Sequence, residues 1–389
     1  MADSTPTGGS PDPFADTPLF REIQRILQSG GGPVNWELAR QVGIASARGG
    51  GEAPIGEDEA ARLEGAVRMA EIAIADLTGL PGEVLRVRAV DRGDWVRANA
   101  DGLRDLFEAP AARVSALLAD ARRGEQDLPL EGGPMLEAML GQLSPLLMGA
   151  QVGTVLGRLA QDVLTQYELP LPRAGAPELL FVAPNIETFE RDWSLPREEL
   201  RGYLAMHETA HALTLGRPWV RPHLVALVRE VAEGMEFDLA ALESRLRDLD
   251  SPDPTALAEA LGDPSELFGG EMTDERRLLL RRVQAFLAAA EGYADHVTDI
   301  AARDRLPSFG RIHEAVRRRH EGRPEEERMV ERLLGLDVVP EHYRLGRTFC
   351  DRVAEVTDEP TLARMWGSTD SMPSMPELEE PTLWLARMA

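Results

Sequence analysis

Apolar residues recur every three or four positions through most of the chain, in blocks separated by Gly and Pro. That spacing lines one face of a helix, so the pattern predicts a mainly α protein with a small β component. In residues 18–28, Leu19, Phe20, Ile23, Ile26 and Leu27 share a helical face, and a second helix opens behind the turn at Gly32 and Pro33. From Glu57 to Leu80 the periodic set is Ala61, Leu63, Ala66, Met69, Ile72 and Leu77. Residues 83–90 (EVLRVRAV) fit a short strand, and residues 91–110 return to helix. Residues 133–168 form a long apolar segment with Gly149, Gly153 and Gly157 four apart, a spacing that lets two helices approach closely. The best strand is in 177–189 (PELLFVAPNIETF), an apolar run ended by Pro184 and Asn185. Ser194, with Pro196, Glu198 and Glu199, then starts another helix. Further helices are expected over 222–237, 239–250, 273–302, 309–320, 325–335 and 340–357, with 375–387 as a closing segment that docks on the body.

Residues 1–17 are rich in Ser, Pro, Gly and Asp and read as a disordered tail. Beyond the tail, residues 18–170 read as an N-terminal helical region and 171–389 as a catalytic region. Aromatic residues make up 5% of the 389, so the core rests on Leu, Val, Ala and Met. The net charge of -24 argues against a nucleic-acid or anionic-membrane partner, because neither polyanion gains by approaching it. Every basic residue is Arg. The single cysteine, Cys350, excludes an intramolecular disulfide and a cysteine-cluster metal site, and reads as a small buried hydrophobe. The first residues lack a basic stretch followed by an apolar one, and the apolar segment 135–157 carries too many polar residues to span a membrane. A cytoplasmic protein is the expectation.

The chemistry concentrates in residues 204–218, LAMHETAHALTLGRP. On a helix His207 and His211, four apart, aim their imidazoles at one point, as the H-E-x-x-H arrangement requires of two zinc ligands. Glu208 sits about 100° round the helix, beside the ion, where it can take a proton from a water that zinc acidifies towards pKa ~7. A catalytic zinc needs a third protein ligand. The extended form H-E-x-x-H-x-x-G-x-x-H is excluded, because Thr214 and Arg217 stand where Gly and His are required. Glu291, after an alanine-rich run in the 273–302 helix, is inward-facing by its pattern and is the preferred third ligand. Asp295, one turn on, is placed to accept the free N–H of a ligating histidine. His296 is the rival ligand, with Glu187 and His223 as more distant ones. Tyr293, His296, His313, His342 and Tyr343 have the chemistry to stabilise an oxyanion, and the sequence does not rank them. Arg317, Arg318 and Arg319 read as a solvated helix face.

The segments DPF (12–14), GPVNWELARQV (32–42), DRGDWV (91–96), HETAH (207–211), EGYAD (291–295) and MPELEEPTLWLAR (375–387) span nearly the whole chain. Together they resemble a family of bacterial zinc-dependent metalloproteases of the zincin type, some members of which are labelled hydrolases associated with deazaflavin cofactor biosynthesis. The resemblance implies a largely helical zincin-like fold, His207 and His211 as the zinc pair, Glu208 as base and Glu291 as third ligand. It implies no substrate. Three functions follow as expectations: a peptidase, a zinc amidase acting on small molecules, or a binding module that keeps the scaffold without turnover. A long groove with an exposed strand edge at 178–183 would favour extended peptides, and a closed pocket small substrates.

Overall fold

The computed structural model describes residues 32–47, 55–82, 85–124, 133–234, 273–322, 330, 334, 336 and 339–389, with the backbone alone at 57, 117–124, 133–143 and 321. The tail at 1–17 and the helices expected over 18–28, 239–250 and most of 325–335 lie outside these residues. Helices dominate: α1 (Trp36–Ala47), α2 (Glu57–Thr78), α3 (Arg92–Gly102), α4 (Arg104–Gly124) and α5 (Gly133–Asp162) come first. They are followed by α6 (Ala183–Asp192), α7 (Arg197–Leu215), α8 (Val220–Glu233), α9 (Asp274–Arg303), α10 (Phe309–Glu321) and α11 (Pro340–Val356). Three short helices close the chain: α12 (Glu359–Ala363), α13 (Met375–Glu379) and α14 (Pro381–Met388). Strands β1 (Arg86–Val90) and β2 (Glu178–Val182) pair in parallel, Arg86 opposite Glu178 and Val90 opposite Val182. Among the described residues no helix is long and apolar enough to cross a membrane.

Helix α7 is buried on nearly every side from Tyr203 to Leu215, as expected of a helix whose apolar residues run all round its axis. α2 and α9 pack against it. Its Arg201, 1% exposed, pairs with Glu59 of α2 at 2.6 Å and Glu190 of α6 at 2.9 Å. A buried guanidinium is tolerable only when paired in this way, so the pair fixes how three helices meet. One hydrophobic core runs continuously from Val34 to Trp384, joining residues on both sides of position 170. The closing segment docks as expected: Trp384 is fully buried, its ring edge-on to Phe349 at 5.6 Å. Cys350 is buried too.

Two seams hold glycines against backbone. In the first, Gly149, Gly153 and Gly157 of α5 lie so close to α1 that a Cβ on each would strike the carbonyls of Asn35, Ala39 and Gly43. In the second, a Cβ on Gly346 of α11 would strike the Ala288 carbonyl of α9, and one on Gly292 of α9 would strike the backbone at Gly346 and Arg347.

The structure corrects several local expectations. The 177–189 run is strand only to Val182, and Pro184 sits in the first turn of α6 instead of ending the element. Pro tolerates that position because its missing N–H would be unsatisfied there anyway. Ser194 does not cap α7; it takes a left-handed conformation (φ 51°) in the turn before it, and the helix begins behind Pro196 without a side-chain cap. In α2 the buried face is Leu63, Val67, Ala70 and Ile74, which leaves Met69 and Ile72 exposed. The edge of β2 is closed at its C-terminal end. β1 covers one side, while Thr165 bridges to Phe181 and Val182 N–H donates to the Leu164 carbonyl on the other.

Candidate metal centre

Two helices meet at the motif. α7 begins with Glu198 and Glu199 in its first turn, where acidic side chains favour a helix N-terminus. Glu199 also accepts hydrogen bonds from Ser308 at the start of α10. α9 begins at a true cap, the Thr273 hydroxyl accepting from Arg276 N–H, and runs through buried alanines 288–290 to Glu291. Small side chains there let α9 approach α7 closely enough for Glu291 to reach both histidines. Its Oε2 lies 3.3 Å from His211 Nε2 and its Oε1 3.8 Å from His207 Nε2. One ligand atom from each of His207, His211 and Glu291 falls within 4.8 Å of the others, and all three residues are buried.

His207 Nε2, His211 Nε2 and Glu291 Oε2 are buried, and among the described residues none has a well-formed hydrogen bond, although His211 Nε2 and Glu291 Oε2 face each other at 3.3 Å and His207 Nε2 faces Asp295 at 3.4 Å. Three such atoms facing one point would cost about 1–3 kcal/mol each if nothing joined them. Two imidazoles and a carboxylate are a donor set that suits zinc, so the residues fit the ion. The electrostatics agree. Burial works against charge on His207, but Asp295, Glu208 and Glu291 outweigh it and hold the imidazole well above its usual range. Burial likewise resists ionisation of Glu291, yet His211 and His207 draw it down to about 2. The cluster calls for positive charge, which protons or a cation can supply.

Glu208 is fully buried and faces the segment between α5 and β2. Its Oε2 accepts from the backbone N–H of Gln166 at 3.1 Å and of Tyr167 at 3.0 Å, and its Oε1 stands 4.0 Å from His207 Nδ1. A carboxylate has about four acceptor positions, so these bonds leave room for a water. The Tyr167 ring stacks on His211 at 5.6 Å and 28°. Behind Tyr167 opens a cavity of about 570 Å³ bordered by Asp101, Arg173, Glu178, Arg217 and Arg221.

Asp295 is not behind a ligand ring, where the free N–H would be. Its Oδ1 stands 3.4 Å from His207 Nε2, the nitrogen that also faces Glu291. The reason is its spacing: one turn from Glu291, it shares that residue's helix face and points into the same space. The rivals lie elsewhere. His296 Nδ1 meets Asp351 at 2.6 Å and its Nε2 meets Glu359 at 3.0 Å. Glu187 is exposed, 3.9 Å from Arg197, and His223 packs beside Trp219 and Phe286. Of the oxyanion candidates, Tyr293 is buried edge-on to Trp366, His313 pairs with Asp299, His342 accepts from Val339 N–H, and Tyr343 packs against the core. Arg317 and Arg318 are exposed and pair with Glu314, as a solvated face would be, but Arg319 does not. It turns inward to Glu168 at 2.8 Å and to the Asp162 carbonyl at 2.5 Å.

The sequence reading missed His320. It ends α10 with its ring 6.3 Å from His207, and its ligand atom lies within 4.8 Å of those of Glu291 and Asp295. Burial keeps it below the usual histidine range against the pull of Glu291, Asp295 and Glu168. No motif links it to the histidine pair; only its place in the last turn of an amphipathic helix was legible. The Gln166 and Tyr167 amides were likewise invisible, since backbone donors leave no trace in side-chain pattern.

A polar network braces the outer side of α9. Asp299 takes Tyr203 Oη, His313 and Arg347, and Arg347 continues to Asp351, which holds His296. For His296, burial lowers the imidazole, but the hydrogen bonds to Asp351 and Glu359 outweigh it and raise it above the usual 6.5. His313 is raised chiefly by its hydrogen bond to Asp299. Burial opposes ionisation of Asp299 and Asp351, yet the histidines and Arg347 hold both below 3.8. The raised histidines stabilise the fold fully below pH ~6.5, and that contribution is lost as pH rises through their folded values. The depressed carboxylates act oppositely, contributing above pH ~3.8 and losing it as pH falls through their folded values. Melting temperature is therefore expected to decline above neutral pH, and His296→Gln to flatten that decline in a pH series of thermal melts. A slope unchanged in the variant would remove His296 from the account.

Residues 34–385 match the family model described as "Zincin-like metallopeptidase". A crystal structure from Chloroflexus aurantiacus, described as "a putative hydrolase with a novel fold", superposes with a TM-score of 0.63 at 28% identity, over 91% of this chain and 98% of that one. No curated protein matches. With the family model covering nearly the whole described molecule, the chain belongs to the zincin-like metallopeptidase family.

Proposed function

We propose that the protein is a zinc-dependent hydrolase that cleaves amide bonds, most simply those of peptides, with His207, His211 and Glu291 holding the ion. The observation that carries this is the convergence of three buried ligand residues from two helices, with Glu291 lying 80 residues beyond His211. When bound, zinc supplies Lewis acidity, acidifying a water and polarising a carbonyl. The chain supplies the rest. Glu208 takes the proton of the attacking water and returns it to the leaving amine. The Gln166 and Tyr167 amides fix the carboxylate's orientation, and Tyr167 holds the plane of His211. Because β1 covers one edge of β2 and residues 164–165 cover the Phe181–Val182 end of the other, strand addition at that end is not available, which favours short or compact substrates over long extended ones. The deazaflavin association contributes nothing to this reading.

One observation favours a second reading, a binding module without turnover: Glu208 is fully buried and occupied by two backbone amides. Metal analysis of the purified protein, followed by incubation with a peptide library and a panel of small amides, separates the two. Near-stoichiometric zinc with cleavage supports the hydrolase, and zinc without cleavage supports the binding module. Failure to bind zinc at all would remove both.

A further inference from the structure

The donors at this place are not exhausted by the first three. Glu291, Asp295 and His320 also bring one ligand atom each within 4.8 Å of one another. This second set shares Glu291 with the first. Glu291 Oε1 faces His207 and its Oε2 faces His211, both of the first set, and one of its oxygens also lies within 4.8 Å of ligand atoms of Asp295 and His320. A carboxylate presented in this way can bridge two ions, and hydrolytic two-metal sites hold their ions about 3.5–4 Å apart. We propose that Glu291, Asp295 and His320 form a second divalent-cation site beside the first, with Glu291 bridging the pair. The proposal rests on the first site being real.

Three features support it. Glu208, Glu291 and Asp295 put three carboxylates around neutral imidazole ligands, so a single divalent ion leaves net negative charge in a largely buried place. The last turn of α10 is located by Arg319, which reaches Glu168 and Asp162, so His320 is held in position instead of swinging in solvent. The donor set, one imidazole and two carboxylates, suits zinc or manganese. Asp295 has 29% of its side chain exposed and His320 is half-buried, so the second ion faces solvent and is the more exchangeable of the two.

The test is stoichiometry, independent of any substrate. Full-length protein is stripped with chelator, titrated with Zn²⁺ and separately with Mn²⁺, freed of excess by gel filtration and analysed for metal. Two equivalents are expected for the wild type, and one for His320→Ala and for Asp295→Asn, with both variants melting like the wild type. Manganese-loaded wild type should give the electron paramagnetic resonance spectrum of a coupled pair, and His320→Ala that of an isolated ion. A wild type that saturates at one equivalent, lost in His211→Ala and kept in His320→Ala, would overturn the second site and leave the hydrolase reading intact. A wild type that binds no metal overturns both. Two equivalents retained in both His320→Ala and Asp295→Asn place the second ion elsewhere and also overturn it.

Discussion

Glu208→Gln is expected to lower kcat/KM on any cleaved peptide by about 10²–10⁴-fold, the usual contribution of a positioned general base, while zinc content stays at the wild-type level. An amide cannot take the proton of the attacking water. The substitution also carries a structural signature. In the wild type both carboxylate oxygens face the Tyr167 N–H, with Oε2 shared with Gln166. In the variant one of those oxygens becomes an NH₂. If the NH₂ meets a backbone donor, about 1–3 kcal/mol is lost; if it turns towards the metal side, the amides keep their acceptor and only activity falls. Thermal melts of the metal-loaded variant distinguish these. Activity within tenfold of wild type would remove Glu208 from the base role, whatever the melts show.

Gly346→Ala is expected to destabilise the protein by about 1–3 kcal/mol or more and to weaken metal binding as well. The added methyl meets the Ala288 carbonyl, which is backbone and cannot rotate away. α11 must then move off α9, and the move reaches Gly292, whose own approach to Gly346 is equally close, and thus Glu291 beside it. Arg347, next in the chain, would also lose its grip on Asp299 and Asp351. Gly65→Ala in α2 is the control: a Cβ there meets nothing within 4 Å, and alanine is favoured over glycine in a helix interior by about 1 kcal/mol. Chemical denaturation and zinc affinity should therefore move down together in Gly346→Ala, while Gly65→Ala is at least as stable as wild type. If stability falls in Gly346→Ala and zinc affinity does not, the seam is structural only and does not position Glu291.

What was legible in the sequence is what repeats along one helix. The 3.6-residue period marked α7 and α9, and the four-residue spacing placed His207 and His211 on one side of α7. The same period turned Glu291 inward. The glycine triplet of α5 was read as a packing device, and the close approach of α1 bears that out. What was not legible depends on contacts between elements. Period alone did not show that Met69 and Ile72 lie outside the buried stripe of α2, nor that the apolar run after Pro177 changes from strand to helix at Ala183. His320 and the two amides that hold Glu208 come from segments with no local signal, joined to the motif only by the fold. Asp295 was found as a residue, but its place beside the His207 nitrogen that also faces Glu291 was not, because the direction of a side chain depends on where the partner helix stands.

The division of the site between α7 and α9 also has a consequence in time. The histidine pair is a local feature, present as soon as α7 winds, because its members are four residues apart. Glu291 lies 80 residues beyond His211 and arrives only when α9 docks, and the amides that seat Glu208 come from a segment 41 residues before it. Contacts of such separation form late, since the entropy of closing the intervening loops must first be overcome. A newly made chain is therefore expected to form the histidine pair before the carboxylate that completes the candidate site reaches it.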